Sequence, residues 1–285
     1  MGIGEVGERL RKSTVHIRSG NGRSQSTGSG IIWTSTGTIL SNAHVVGAGT
    51  DLQVDLWDGR SFPGRLESCD TARDLARLSI NTFALDAIEP RQTAVRPGEF
   101  AIAVGNPMGF SGALTQGTVH TTGPFPGLGR RRTWIQSAIR LAPGNSGGPL
   151  ADASGRLIGV NTMITSTGVA LAVPSSEAQA FIRHGAAPRL GVSVRPARLG
   201  VRRDRIGLLL LQVEAGSPAE RASLLIGDLL IAANELPFES SADLSDAIAE
   251  RAGRPLVLRF FRGDRSRERE VVVQLGGNKQ REAAA

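Results

Sequence analysis

The chain of 285 residues contains a single cysteine and no long apolar run. Because Cys69 has no second cysteine to pair with, a disulfide framework is excluded as the source of its stability. No stretch approaches the roughly 18 consecutive apolar residues of a membrane-spanning helix, so we expect no integral membrane segment. The apolar fraction of 40% is ordinary for a globular protein, which excludes a chain that is disordered throughout.

Basic charge is present but is not concentrated. The formal net charge is +7, and the excess of basic residues is spread over both halves of the sequence. The densest basic run, Arg130–Arg132, lies in a stretch rich in glycine and proline. Nucleic-acid-binding surfaces usually concentrate arginine and lysine on one helix or stripe. We therefore interpret this composition as an arginine-rich soluble surface and expect no nucleic-acid partner.

The first twelve residues, MGIGEVGERLRK, do not have the composition of an export signal. They lack both an apolar core of roughly 7–15 residues and a small-residue cleavage site. We expect no secretory signal peptide in this sequence. The compartment is therefore left open: cytoplasmic if the chain is complete, and elsewhere if it is a mature or truncated form.

Turn-forming residues are abundant, with 36 glycines and 14 prolines. From Ser13 to Pro174, short apolar or alternating runs are separated by turn residues about every 8–12 positions, which favours a β-sandwich or β-barrel. A short helix is predicted from Ser175 to just before Gly185. The remainder, from Arg189 to Leu275, mixes strand-like runs with two predicted helix starts and indicates a small α+β domain. The tail after it is predicted to be disordered.

The segment Gly144-Asn145-Ser146-Gly147-Gly148 carries the strongest chemical signal. It is compatible with a simple tight turn. It also suits a nucleophilic serine, because the small residues around Ser146 let a substrate carbonyl approach its hydroxyl. The backbone N–H groups of Gly144 and Ser146 would then form an oxyanion hole.

A serine hydroxyl needs a base, and the base needs an orienting carboxylate. His44 follows a predicted strand, and Asp74 precedes the alternating run Leu75–Ile80, where an element edge could hold a partly buried carboxylate. With Ser146 they give the chain order His, Asp, Ser, which is that of the chymotrypsin-type fold. Other histidines and carboxylates leave alternatives open, with Asp70 the nearest rival: His16, His120, His184, Asp51, Asp55, Asp58 and Asp70.

These segments together resemble the HtrA (Deg-type) serine proteases. The resemblance covers nearly the whole chain, from about Val15 to Leu275. It rests on these motifs: Ser41–Val46, Asp74–Leu78, Gly105–Gly109, Gly144–Leu150, Ile158–Thr162, Val169–Pro174, Arg189–Val192, Gly216–Ala219 and Gly227-Asp228.

The resemblance implies a mainly β protein, with a chymotrypsin-like double β-barrel at 1–187, a small α+β PDZ domain at 188–276 and a disordered tail at 277–285. It implies that Ser146 is the nucleophile, His44 the general base and then acid, and Asp74 the residue that fixes the tautomer of His44. It further implies hydrolysis of unfolded or damaged proteins without metal or cofactor, a homotrimer, and a periplasmic or other extracytoplasmic location. The alternative is a catalytically weak peptide-binding chaperone or adaptor of the same fold.

Two pockets follow from the resemblance. The substrate-binding residues would be Arg140 and Leu141 on one wall, with Thr167, Gly168 and Val169 on the other. Since the second wall offers no carboxylate, we expect a preference for a small or medium apolar side chain. Arg140 either faces solvent, which we favour, or lines the pocket and alters that preference. The carboxylate-binding loop of the PDZ domain would contain the residues Arg189, Leu190, Gly191 and Val192.

Overall fold

The computed structural model describes residues 2–20, 25–47, 51–129, 132–199, 206–251 and 254–275. The predicted tail at 277–285, and Arg130 and Arg131 of the basic run, lie outside the described residues. The chain divides into two compact units, one of Met1–Gly123 with Thr133–Ala186 and one of Pro124–Arg132 with Ala187–Ala285. Within the described ranges, no helix combines the length and apolar character needed to cross a bilayer.

A seven-stranded antiparallel sheet opens the first unit. Its strands are β1 (Thr14–Gly20), β2 (Gln25–Ile32), β3 (Thr38–Ser41), β4 (Asp51–Asp55), β5 (Ser61–Pro63), β6 (Arg65–Asp70) and β7 (Leu75–Ser79). They pair in the order β5-β4-β1-β2-β3-β7-β6. Alternate residues of these strands bury a continuous apolar cluster that includes Ile17, Ile39 and Leu78, as expected of a sheet with one face on a core.

The second sheet of this unit closes into a six-stranded barrel in the order β10-β13-β12-β11-β8-β9. Its strands are β8 (Phe100–Gly105), β9 (Ala113–Gly123), β10 (Trp134–Ser137), β11 (Pro149–Asp152), β12 (Leu157–Ile164) and β13 (Ala170–Pro174). The predicted mainly β architecture with barrel-like sheets is confirmed. A backbone hydrogen bond from Ser29 N–H to the carbonyl of Ser146 (2.8 Å) joins β2 to the loop before β11.

Among the described residues of this unit, three α-helices accompany these sheets, α1 (Ile3–Lys12), α2 (Ala43–Val46) and α3 (Ser175–His184), together with a short 3-10 helix (Pro107–Gly109). The span of α3 agrees with the helix predicted from Ser175. The sequence did not predict α1, because Gly4 and Gly7 disfavour a helix interior. Packing overrides that preference: α1 buries Val6, Gly7 and Leu10, and a Cβ on Gly7 would collide with Leu114.

The second unit contains the α+β domain. Its strands are β14 (Val192–Arg198), β15 (Ile206–Val213), β16 (Leu229–Ala233), β17 (Leu236–Pro237), β18 (Pro255–Arg262) and β19 (Asp264–Gln274), and its helices are α4 (Pro218–Arg221) and α5 (Ala242–Glu250). The sheet order is β14-β15-β16-β18-β19, with β17 on β16. As predicted, proline opens α4, and the Ser217 hydroxyl accepts a hydrogen bond from Glu220 N–H.

Candidate active site

His44 and Asp74 are in direct contact. Nδ1 of His44 lies 2.8 Å from Oδ2 of Asp74, and the backbone N–H of His44 donates to Oδ1 of the same carboxylate at 3.0 Å. The second residue of the four-residue helix α2 is His44, and Asp74 immediately precedes β7, which pairs with β3 just before α2. Strand pairing therefore positions the carboxylate beside the imidazole.

The backbone of Asp74 is held in an uncommon conformation. Its φ of +56° lies in the left-handed region, which aspartate and asparagine adopt more readily than most residues. The Asp74 carbonyl accepts a hydrogen bond from Nδ2 of Asn42 (2.8 Å), and the same amide group donates to Oγ1 of Thr162 (3.1 Å). Asn42 is fully buried, so one side chain links the loop of Asp74 to β12.

The contact with Asp74 changes the titration of His44. The hydrogen bond to the Asp74 carboxylate, with a smaller electrostatic contribution, raises the pKa of His44, and partial burial opposes the change. The same hydrogen bond fixes the neutral ring as the tautomer protonated on Nδ1, because an ionised carboxylate can only accept. Nε2 is thereby left as the acceptor.

The loop around Ser146 depends on two glycines in the left-handed region. Gly144 has φ of +103° and Gly147 has φ of +85°. A Cβ on Gly144 would collide with the carbonyl oxygen of Asn106, and one on Gly147 with the carbonyl oxygen of Ser29. Both the conformation and the close approach therefore require glycine at these two positions.

The Ser146 hydroxyl donates to the carbonyl of Thr162 at 2.9 Å. Among the hydrogen bonds of the described residues, none joins Ser146 to His44. His44 lies in α2, which follows β3 of the seven-stranded sheet, and Ser146 lies in the loop before β11 of the barrel. The bond between Ser29 and Ser146 joins β2 of the first sheet to that loop. A turn of the hydroxyl about one side-chain torsion is thus needed before it can donate to an imidazole.

The amides predicted to form an oxyanion hole have no internal acceptor. Within the described part of the chain, neither the Gly144 N–H nor the Ser146 N–H donates a hydrogen bond, whereas the N–H groups of Asn145, Gly147 and Gly148 all donate. Buried backbone donors are seldom left unused unless water or a ligand receives them. Gly144 is buried and Ser146 is half-buried, so these two donors are available to an anionic oxygen.

The predicted substrate-binding residues have different environments. Arg140 is exposed, and Leu141 packs against the core of the closed barrel. Thr167, Gly168 and Val169 belong to the turn between β12 and β13, where Thr165 N–H donates to the Val169 carbonyl and Val169 N–H donates to Oγ1 of Thr165. The pocket itself stays a prediction.

The carboxylates that the sequence left open as alternatives to Asp74 have other partners in the structure. Asp70 is buried and accepts a hydrogen bond from Arg73 N–H, while Asp55 binds Arg18 and lies 3.3 Å from His16. Asp58 binds Arg60. Among the described contacts, Asp74 is the carboxylate that reaches His44.

The Arg189–Val192 loop of the second unit has the features of a carboxylate-binding turn. Gly191 has φ of +78°, and the Leu190 carbonyl accepts from Ala219 N–H. Among the described residues, the N–H groups of Leu190 and Gly191 donate to no acceptor. Within the described part of this unit, the following strand, β14, pairs only with β15. An added peptide strand could use the other edge.

Sequence reasoning missed the buried residues behind the site. Asn42 and Thr162 lie in motifs that were recognised, but nothing in the local pattern indicated their hydrogen bonds. Ser29 lies between two glycines in β2, which reads as a flexible or turn-like stretch. That Ser29 is buried is apparent only in the folded structure, where β2 bonds to the loop of Ser146.

Two protein families match the sequence. Residues 28–160 match the trypsin-like peptidase domain, and residues 188–273 match the PDZ domain. The chain is 36% identical to HhoA of Synechocystis sp. over 269 residues, covering 84% of this chain and 68% of HhoA. It is 34% identical to HhoB of the same organism over 274 residues, covering 85% of this chain and 65% of HhoB. Both relatives are named as serine proteases, and the chain spans about two thirds of their length.

A solved structure of the HtrA-type protease AlgW with a decapeptide is also similar. The TM-score is 0.67 and the identity 26%, and the alignment covers 97% of this chain and 99% of AlgW. From its sequence relatives and its fold, the chain belongs to the HtrA family of serine proteases.

Proposed function

We propose that the chain is a serine endopeptidase in which Ser146 is the nucleophile, His44 the general base and then acid, and Asp74 the residue that orients His44. The observation that carries this proposal is the 2.8 Å contact between His44 Nδ1 and Asp74 Oδ2. It leaves Nε2 free to accept a proton, and the carboxylate would stabilise the imidazolium that forms.

The reaction would proceed through an acyl-enzyme. Oγ of Ser146 attacks the peptide carbonyl carbon while its proton passes to Nε2 of His44, and the carbonyl oxygen becomes an oxyanion. The N–H groups of Gly144 and Ser146 stabilise that oxygen. The C–N bond then breaks, the leaving amine takes the proton from His44, and water hydrolyses the ester by the same route.

The hydrogen bond from Ser146 to the Thr162 carbonyl describes the resting arrangement. Hydrogen bonds between catalytic groups often form properly only once substrate is bound. Rotation of one hydroxyl costs little compared with the barrier of peptide hydrolysis. A productive complex therefore requires the Ser146 hydroxyl to exchange the Thr162 carbonyl for Nε2 of His44 as its acceptor, and no metal or cofactor takes part in these proposed steps.

We further propose that the substrates are unfolded or damaged proteins. A protease domain at 1–187 would cleave them, with a preference for small or medium apolar side chains at Leu141 and Thr167–Val169, and a PDZ domain at 188–276 would bind their C-termini or apolar segments. The described decapeptide complex of AlgW supports peptide binding by this fold. Assembly as a homotrimer is proposed from the resemblance alone.

Labelling with a fluorophosphonate probe tests the proposal. We expect one adduct, located on Ser146 by peptide mass spectrometry, and cleavage of casein by the same preparation. The labelling rate should rise with pH through the pKa of His44, which the hydrogen bond with Asp74 raises, because only the neutral imidazole accepts the serine proton. The measurement is the second-order labelling rate from about pH 5 to pH 9.

The matched control for the pH profile is His120→Gln, since His120 is an exposed residue of β9. Its profile should superimpose on that of the unsubstituted chain. A labelling rate independent of pH over that range would contradict the role of His44. Absence of both labelling and casein cleavage would favour the peptide-binding chaperone or adaptor.

Gly191→Ala is expected to abolish binding of a free C-terminus by the PDZ domain. The substitution places a Cβ at a φ of +78° and into the side chain of Ser217, which distorts the turn whose amides would bind the carboxylate. We expect at least a tenfold loss of affinity, with a stability loss of about 1–3 kcal/mol from the strain. Fluorescence polarisation with a labelled apolar peptide would measure the affinity.

Gly227→Ala is the matched control, because Gly227 also has positive φ (+91°) but its Cβ would meet no atom within 4 Å. It should lose stability without losing peptide affinity. The same peptide with an amidated C-terminus should bind weakly to every variant. Equal affinity of Gly191→Ala and the unsubstituted chain would exclude this loop as the carboxylate site.

A further inference from the structure

Ser29 lies directly behind the loop of the proposed nucleophile. It is completely buried in β2; two of its groups bond to the loop of Ser146 and a third bonds to Ser41 of β3. Its hydroxyl donates to the carbonyl of Gly144 at 2.7 Å. Its backbone N–H donates to the carbonyl of Ser146 at 2.8 Å, and its own carbonyl accepts from the hydroxyl of Ser41 at 2.7 Å.

Each hydrogen-bonding position of the Ser29 hydroxyl has a partner. Besides donating to Gly144, it accepts from the backbone N–H of Asn106 at 2.8 Å and from Nδ2 of Asn106 at 3.3 Å. A hydroxyl has one donor and two acceptor positions, so all three are occupied. Asn106 is itself buried and donates from Nδ2 to the carbonyl of Val15. The hydroxyl therefore connects β2, the end of β8 and the Gly144 turn at one point.

The peptide units on both sides of Gly144 are anchored. The carbonyl of Pro143 accepts from Met108 N–H at 3.2 Å. Because N–H and C=O of a trans peptide point in opposite directions, this bond turns the Gly144 N–H away from Met108. On the other side, Ser29 holds the Gly144 carbonyl and Asn145 N–H donates to Ala142. These bonds keep the free Gly144 N–H in one orientation.

We propose that Ser29 is a positioning residue of the oxyanion hole: its buried hydroxyl fixes the peptide unit that follows Gly144, and with the preceding unit held through the Pro143 carbonyl, this restricts the rotation of Gly144 that would turn its N–H away from the developing oxyanion. This inference rests on the proposed protease function. Ser29 touches no substrate in this role. Its loss would weaken transition-state stabilisation and leave ground-state peptide binding unchanged.

Ser29→Ala removes the anchor of the Gly144 carbonyl and leaves the rest of β2 in place. Loss of one complete oxyanion donor lowers kcat by about 10²–10³. A donor that is present but misoriented retains part of its effect, so we expect kcat to fall about 10- to 100-fold with KM changed less than twofold. Ser29→Cys keeps a weak donor of similar size, so its kcat should be intermediate.

Inhibition by a peptidyl boronate distinguishes misorientation of the Gly144 N–H from a general loss of structure. The proposed Ser146 Oγ adds to the trigonal boron and its proton passes to Nε2 of His44. One B–O bond forms, no bond to boron breaks, and an oxygen of the tetrahedral adduct occupies the oxyanion hole. Its inhibition constant should rise in parallel with the fall of kcat in Ser29→Ala. Affinity for an uncleaved peptide, measured in the Ser146→Ala background, should stay unchanged. Thr14→Val, which removes a buried hydroxyl that donates to the Leu10 carbonyl, is the control for a lost buried hydrogen bond.

The outcomes are distinguishable. Unchanged kcat and boronate affinity in Ser29→Ala, with the unsubstituted chain active, would overturn the inference and leave the proposed function intact. Equal losses in Thr14→Val and Ser29→Ala would also overturn it, because they would indicate destabilisation alone. An unsubstituted chain that neither binds the boronate nor cleaves peptide would refute the proposed function, and the inference with it. If Ser29→Ala does not fold, Ser29→Cys carries the same comparison.

Discussion

Replacing Ser146 by alanine is expected to lower kcat by about 10⁶-fold, the scale on which a serine protease loses activity when its nucleophile is removed. Without Oγ no acyl-enzyme can form. What remains is the contribution of bound substrate and oxyanion donors, about 10³–10⁴ over the uncatalysed reaction. The measurement is hydrolysis of a fluorogenic peptide, together with fluorophosphonate labelling of the same samples.

Ser146→Ala should nevertheless bind peptide as tightly as the unsubstituted chain, because the second unit is untouched. This separates loss of chemistry from loss of folding. Ser176→Ala, at an exposed position in α3, should retain full activity and labelling. Persistent labelling of Ser146→Ala, or casein cleavage at an unreduced rate, would refute the assignment of the nucleophile.

Replacing Asp74 by asparagine is expected to lower kcat by about 10⁴ near neutral pH. An asparagine amide can donate to Nδ1, which favours the tautomer protonated on Nε2 and so removes the acceptor for the serine proton. Asparagine tolerates the φ of +56° at this position, and its oxygen can still accept the N–H of His44. The backbone should therefore stay in place while the chemistry fails.

The pH dependence of the residual activity provides a second test of Asp74→Asn. The hydrogen bond with the carboxylate is the main cause of the raised pKa of His44. Without it, that pKa should fall toward the ordinary histidine value, and the residual activity should reach half its maximum at a lower pH. If the pH of half-maximal activity were the same in Asp74→Asn as in the unsubstituted chain, the proposed role of Asp74 would be contradicted.

Asp70→Asn is the matched control, because Asp70 is the nearest rival in the sequence and is a buried carboxylate, whereas Asp74 is half-buried. It accepts from Arg73 N–H and lies 3.6 Å from its guanidinium. We expect a lower Tm with kcat within about twofold, since one hydrogen-bonded buried carboxylate is lost away from His44. Equal losses of kcat in Asp70→Asn and Asp74→Asn would mean that fold stability, not orientation of His44, explains both.

Much of the fold could be predicted from pattern because its elements are short and regular. Alternating runs predicted β7, and a capping residue with proline predicted α4. Helix α1 could not be predicted, since it depends on burial of Val6, Gly7 and Leu10 against residues distant in sequence, such as Leu114 beside Gly7. A local pattern carries no information about such a tertiary contact.

In the candidate site, too, some residues could be predicted from the sequence, whereas the hydrogen bonds between them and their neighbours could not. Ser146, His44 and Asp74 could be proposed because each lies in a motif whose chemistry is recognisable. The resting bond of Ser146 to Thr162, the link through Asn42 and the anchoring by Ser29 could not be, because each joins residues of separate elements. These hydrogen bonds become apparent only once the sheets are docked.

The distance along the chain between Ser29 and Gly144, 115 residues, has a consequence for biosynthesis. The emerging polypeptide presents β2 long before the ribosome has made the loop that it supports. Domains fold as units once enough chain has been synthesised. A growing chain, or a fragment that ends before the barrel is complete, should thus be unable to digest itself or its neighbours. Cleaving activity would begin only when both halves of this unit have been made and have closed on each other.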